Sequence, residues 1–159
     1  MEAPTPRELS DLALDLVVEV GKLDALLESL VALDAVVVDR LRVDAAALRL
    51  QSFYTGIERC LLQIIRVLNG STLDGWDWHR RLLDRMEHAT QARPAVFCAV
   101  SINSLQELLR FRHLVRHLYA YEWQPEPVER LRALAIALWP DVRGELKSSQ
   151  CWLTPEPVV

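Results

Sequence analysis

The stretch LSDLALDLVVEVGKLDALLESLVALDAVV, residues 9–37, places apolar side chains at Leu9, Leu12, Leu16, Leu23, Leu26, Leu30, Leu33 and Val37. Steps of three and four alternate, with Glu19 beside Val20 as the one break. On a helix of 3.6 residues per turn these positions form one narrow stripe, a seam of the coiled-coil type. Such a helix must bury its seam against another helix. The next helix of the same chain satisfies that need as well as a second copy of the chain does.

Outward from this seam the chain keeps reading as helix. Leu50, Phe53, Ile57, Leu61, Ile64 and Leu68 continue the period, with Asp44 expected as N-cap and Asn69-Gly70 as the stop. DWHRRLLDRMEHA, residues 77–89, predicts a short third helix capped by Asp77, with Leu82, Leu83 and Met86 inward. TQARPAVFCAV, residues 90–100, reads as loop because Pro94 breaks a helix and VFCAV has no helical period. A fourth helix is expected from Ser101 or Ser104, where Ser104 and Glu107 match a capping box. A fifth should start at Pro127 and carry Val128, Leu131, Leu134 and Leu138 inward, with a kink or restart at Pro140 before Val142 and Leu146.

The fold class is therefore all-α, an antiparallel bundle of four to six helices, expected as one domain over residues 1–150 with a tail at 151–159. A 159-residue chain buries a sizeable core without staples, and its five glycines leave little for loop-rich architectures. Three scattered cysteines, with no C-x-x-C pair, fit a reduced cytoplasmic chain. MEAPTPRELSDL lacks a basic segment followed by an apolar core, and no apolar run is long enough for a membrane helix, so a soluble protein without membrane contact is expected. The absence of G-x-S-x-G, Walker and dinucleotide glycine patterns sets aside hydrolase-elbow, P-loop and Rossmann enzymes.

A net charge of −4 gives no whole-protein attraction to nucleic acid, so phosphate recognition needs a local patch. One exists: residues 104–121 hold Arg110, Arg112 and Arg116 against Glu107 alone, with His113 and His117 adding charge when protonated. His113 and His117, four apart, share a helical face, but two ligands do not make a metal site and no third falls at the right spacing. GWDWHRR, residues 75–81, combines Trp76, Trp78, His79, Arg80 and Arg81, a set that can stack on a base and hold phosphate. The plainer reading packs one tryptophan as a staple and pairs the arginines with Asp77 and Asp84.

Arg112, His117 and Tyr119 form the pattern R-x4-H-x-Y. RNA cleavage without metal needs a group that takes or gives a proton near neutral pH, which suits His117. It also needs a fixed cation on the phosphate, which suits Arg112. Tyr119 can donate a hydrogen bond to phosphate or stack on a base. On one regular helix Arg112 and Tyr119 lie within ~20° of each other, whereas His117 is ~140° from Arg112. A shared site thus requires a loosened helix end or a second chain.

The segment LLRFRHLVRHLYAYEW, residues 108–123, resembles HEPN-domain toxins of the HepT type, whose signature is this R-x4-H-x-Y pattern on an all-helical dimer. LQSFYTGIERCLLQIIRVLNG and WHRRLLDRM resemble that family in the same order, so the likeness spans roughly residues 20–146. The resemblance implies a metal-independent endoribonuclease with no cofactor, acting on tRNA or mRNA, with Arg112 and His117 catalytic at a two-fold interface. Arg110, His113 and Arg116 become supporting charge. It further implies a nucleotidyltransferase antitoxin that attaches AMP to Tyr119, in a homodimer or a larger hetero-oligomer. The alternatives are an inactive HEPN-like dimer that binds nucleotide or that transferase, and a structural bundle carrying the motif by chance.

Overall fold

The computed structural model describes residues 2–68, 73–119 and 122–155, and within them the chain is five α-helices with no strand. They are α1 (Pro6–Val31), α2 (Arg40–Leu68), α3 (Trp78–Met86), α4 (Ala99–His117) and α5 (Pro125–Leu153). The all-α expectation holds. No helix among the described residues is long and apolar enough to cross a membrane.

The α1 seam is covered from within the chain, by α2 and α5. Leu12, Leu16, Leu23 and Leu30 are each at most 2% exposed. Val37, expected at the end of the seam, is instead 78% exposed. The helix stops at Val31 and passes through a 3-10 turn, Ala32–Ala35, that buries Leu33. The buried Arg132 of α5 holds this exit, donating to the Leu30 carbonyl at 2.8 Å and to Asp34 at 2.6 Å. It thereby satisfies one of the carbonyls that any helix leaves unpaired at its end. At the other end Thr5 and Glu8 form a reciprocal capping box with Pro6 in the first turn, a signal already visible in TPRE.

α2 is the central helix and touches each of the other four. It opens one turn earlier than expected because Asp39, not Asp44, caps it, accepting from the Arg42 N–H at 2.9 Å. Asp44 instead accepts from the Trp123 indole at 3.1 Å. Gly56 lets α1 approach closely: a Cβ there would lie 2.7 Å from Leu23 Cδ2. The expected stop at Asn69-Gly70 lies outside the described residues.

α3 matches its expected inward face, with Leu82, Leu83 and Met86 fully buried. Asp77 stands at its N-cap position but spends its carboxylate on Arg81 rather than on the backbone. The apolar run before α4 is a plug: Val96 and Phe97 are buried, and both their N–H groups donate to the Met86 carbonyl. Arg93 beneath them is 3% exposed and donates to the carbonyls of Arg85, His88 and Pro94.

α4 starts at Ala99, ahead of the expected serines, because Glu145 of α5 accepts from the Cys98 N–H and the Ser101 hydroxyl. Glu107, expected in a capping box, pairs with Arg130 at 2.9 Å. α5 begins at Pro125 and runs unbroken past Pro140, which is exposed, so the carbonyl its missing N–H leaves unpaired can be solvated. The helix continues into the expected tail as far as Leu153, whose side chain is 5% exposed. All three cysteines are free, and burial pushes the Cys60 thiol up to about 12.

Candidate functional site

α3 and α4 lie side by side and leave between them a cleft of about 670 Å³. Gly75 opens the α3 side with a φ of 96°, a conformation that L side chains rarely adopt. From α4 the cleft receives Arg110, His113 and His117, three and four residues apart and therefore on one face. From α3 it receives His79, Arg80 and Arg81. Arg81 pairs with Asp77 at 3.0 Å and Arg80 reaches Asp84 at 3.9 Å, the pairing expected of that segment. Trp76, 94% exposed, stands at the rim, while Trp78 packs over His79 with ring centroids 3.6 Å apart.

Arg112 is elsewhere. It is 8% exposed and points to α2, where Nη2 comes within 3.8 Å of Glu58 Oε1. Its Nε and Nη1 have no hydrogen-bond partner among the described residues. The separation of ~140° between Arg112 and His117 on a regular helix therefore has a physical outcome: one faces the core and the other the cleft. Arg116 is exposed and outside the cleft lining.

The helix does end at the motif. His117 is the last residue of α4, and Leu118 is extended at φ −110°, ψ 147°. Tyr119 is thus off the helix and 71% exposed, its N–H donating to Glu122 at 2.6 Å. Phe111 and Val115 turn the apolar face of α4 inward, whereas Leu114 is 51% exposed.

Glu58 is the residue that sequence reasoning missed. It is 5% exposed in the middle of α2, and its second oxygen, Oε2, is 2.6 Å from His79 Nδ1. One buried carboxylate thus stands between the motif arginine and a histidine of the cleft. The signal was present: Tyr54, Glu58 and Leu61 are four and three apart, so a carboxylate occupies the buried stripe of α2. Tyr54 lies alongside, its hydroxyl without a hydrogen-bond partner among the described residues and pushed up by burial and then by the charge of Glu58.

His113 meets His79 edge-on with ring centroids 5.3 Å apart. Its imidazolium is held below the ordinary histidine value, first by burial and then by the charges of His79, Arg112 and Arg116, with Glu58 opposing. His113 is therefore biased toward its neutral form, with a free nitrogen for hydrogen bonding. Among the described residues no three His, Cys, Asp or Glu side chains group as a metal site.

Residues 45–152, more than half of the chain, match a family model described as HepT-like protein. No curated protein and no solved structure gives a match.

Proposed function

The chain belongs to the HepT-like family, and from that premise we propose that it is a metal-independent endoribonuclease toxin acting on tRNA or mRNA. The observation that carries this reading is the convergence of His79, His113 and His117 with Arg110 on one cleft where the motif helix ends. Imidazoles can move protons near neutral pH, and arginines can hold a phosphate as its charge grows. His117 is the acid-base residue and Arg112 the phosphate-stabilising cation, with Arg110, His113 and Arg116 as supporting charge.

Arg112 must leave its buried position to reach a phosphate in the same protomer. Among the described residues its Nε and Nη1 make no hydrogen bond there, and the one ionic contact is Nη2 with Glu58 at 3.8 Å. A two-fold homodimer would bring the exposed His117 of a second copy near the cleft, with Arg112 of either copy still required to swing out. Tyr119, exposed just past the helix end, is the site where a nucleotidyltransferase antitoxin attaches AMP. The added phosphate would occupy the region meant for the RNA backbone and exclude it by charge and bulk.

The test is cleavage of RNA by the purified full chain in the presence of chelator. Activity that survives chelation and disappears in His117→Ala supports the reading; activity lost to chelator or kept by His117→Ala overturns it. A second reading, an inactive HEPN-like dimer that binds nucleotide or a nucleotidyltransferase, is favoured by the burial of Arg112. It predicts no growth arrest on expression, and partner binding unchanged in Arg112→Ala and His117→Ala.

A further inference from the structure

Among the described residues, His79 is the histidine of the cleft whose ring nitrogen meets a buried carboxylate, Glu58, at hydrogen-bond distance. Side-chain exposure is 12% for His79 and 7% for Glu58, and Nδ1 and Oε2 are 2.6 Å apart. An ionised carboxylate can only accept, so the contact with Glu58 places the hydrogen on Nδ1, and in the neutral ring the lone pair then sits on Nε2. The ring is held by the Trp78 indole stacked on it, 28° from parallel, and by His113 edge-on. Orientation and tautomer are thus both set before any ligand arrives, the arrangement by which a carboxylate prepares a histidine to accept a proton.

The burial of Glu58 is costly unless its charge is used, and its two oxygens face Arg112 and His79. His79 lines the same cleft as His117. We propose that His79, oriented through Nδ1 by Glu58, is the general base of this cleft and that His117 is the complementary acid. The assignment rests on the ribonuclease reading and goes beyond the R-x4-H-x-Y motif, which does not contain His79.

Nε2 of His79 takes the proton of the ribose 2′-hydroxyl, and the 2′-oxygen forms a bond to the adjacent phosphorus. The bond from phosphorus to the 5′-oxygen breaks, and protonated His117 gives its proton to that oxygen. The products are a 2′,3′-cyclic phosphate and a 5′-hydroxyl end. Proton exchange with solvent then restores both histidines.

The experiment measures kcat and KM for RNA cleavage across pH for wild type, His79→Gln and Glu58→Gln, with thermal melts as the folding control. His79→Gln is expected to lose roughly 10²- to 10⁴-fold in kcat with KM little changed, and to lose the acid limb of the pH profile. Glu58→Gln, which can still accept from Nδ1–H but carries no charge, should fall between it and wild type. His79→Gly should regain activity with added imidazole. Wild-type cleavage together with an intact acid limb in His79→Gln overturns the assignment and leaves the ribonuclease standing. A wild type that cuts no RNA overturns both. Should His79→Gln fail to fold, NMR of the wild-type imidazoles decides: a 2′-deoxy oligonucleotide, which cannot be cut, must perturb His79, and an unperturbed His79 overturns the proposal.

Discussion

Arg112 Nη2 stands 3.8 Å from Glu58 Oε1, so the motif arginine rests inside the bundle, against α2, while His117 faces the cleft. Removing one partner of a buried pair leaves the other charge uncompensated, at a cost of roughly 3–5 kcal/mol. Glu58→Ala strands Arg112 and also frees His79, so a loss of that order is expected in urea unfolding. A loss below about 1 kcal/mol, the range of exposed pairs, would show that the contact contributes little to the fold.

Asp24 ties α1 to α5, accepting from the Trp139 indole at 2.8 Å and from Arg143 Nε at 2.9 Å. Hydrogen bonding by Arg143 holds its carboxyl below the ordinary 3.8, and Arg42 chiefly does the same for Glu129 below 4.5. A depressed folded value means that the stabilisation is complete above the ordinary value and is lost as pH falls through the folded one. Stability should therefore drop on acidification from about pH 4.5 downward, and Asp24→Asn should flatten that limb. Unfolding curves that show the same acid slope in both proteins would refute the assignment.

Gly56 of α2 packs against Leu23 of α1, and any Cβ there meets Leu23 at 2.7 Å. Gly56→Val is expected to cost about 1–3 kcal/mol through overpacking, read as a lower urea midpoint at unchanged m-value. An unchanged midpoint would mean that Leu23 yields without cost.

Tyr119 is exposed beyond the end of α4, within reach of a modifying enzyme. Tyr119→Phe keeps the ring and removes the acceptor hydroxyl. Co-expressed with the transferase, wild type should gain AMP at Tyr119 in intact-mass and peptide-mapping measurements and lose toxicity. Tyr119→Phe should gain none there and stay toxic; neutralisation without added mass would point to blocking by contact alone.

The helices were legible because an apolar period of 3.6 is a local property: the faces of α2 and α3 and most of the α1 seam could be read from spacing alone. Helix ends were less legible, because distant residues decide them. Arg132 closes α1 from α5, and Glu145 of α5 draws the start of α4 forward to Ala99. Arg112, His117 and Tyr119 could be named from their spacing, and helical geometry already required that Arg112 and His117 diverge.

Which of them enters the cleft, and in what company, depended on tertiary structure. Glu58 and His79 are 21 residues apart, on different helices, and nothing in their local patterns pairs them. Only the packing of α2 beside α3 and α4 brings the carboxylate under both His79 and Arg112. The sequence by itself determined the helical period, the family and the motif, since each is written in short-range spacing. The tertiary structure decided the charge network, because a buried carboxylate is tolerated only where elements distant in sequence deliver its partners.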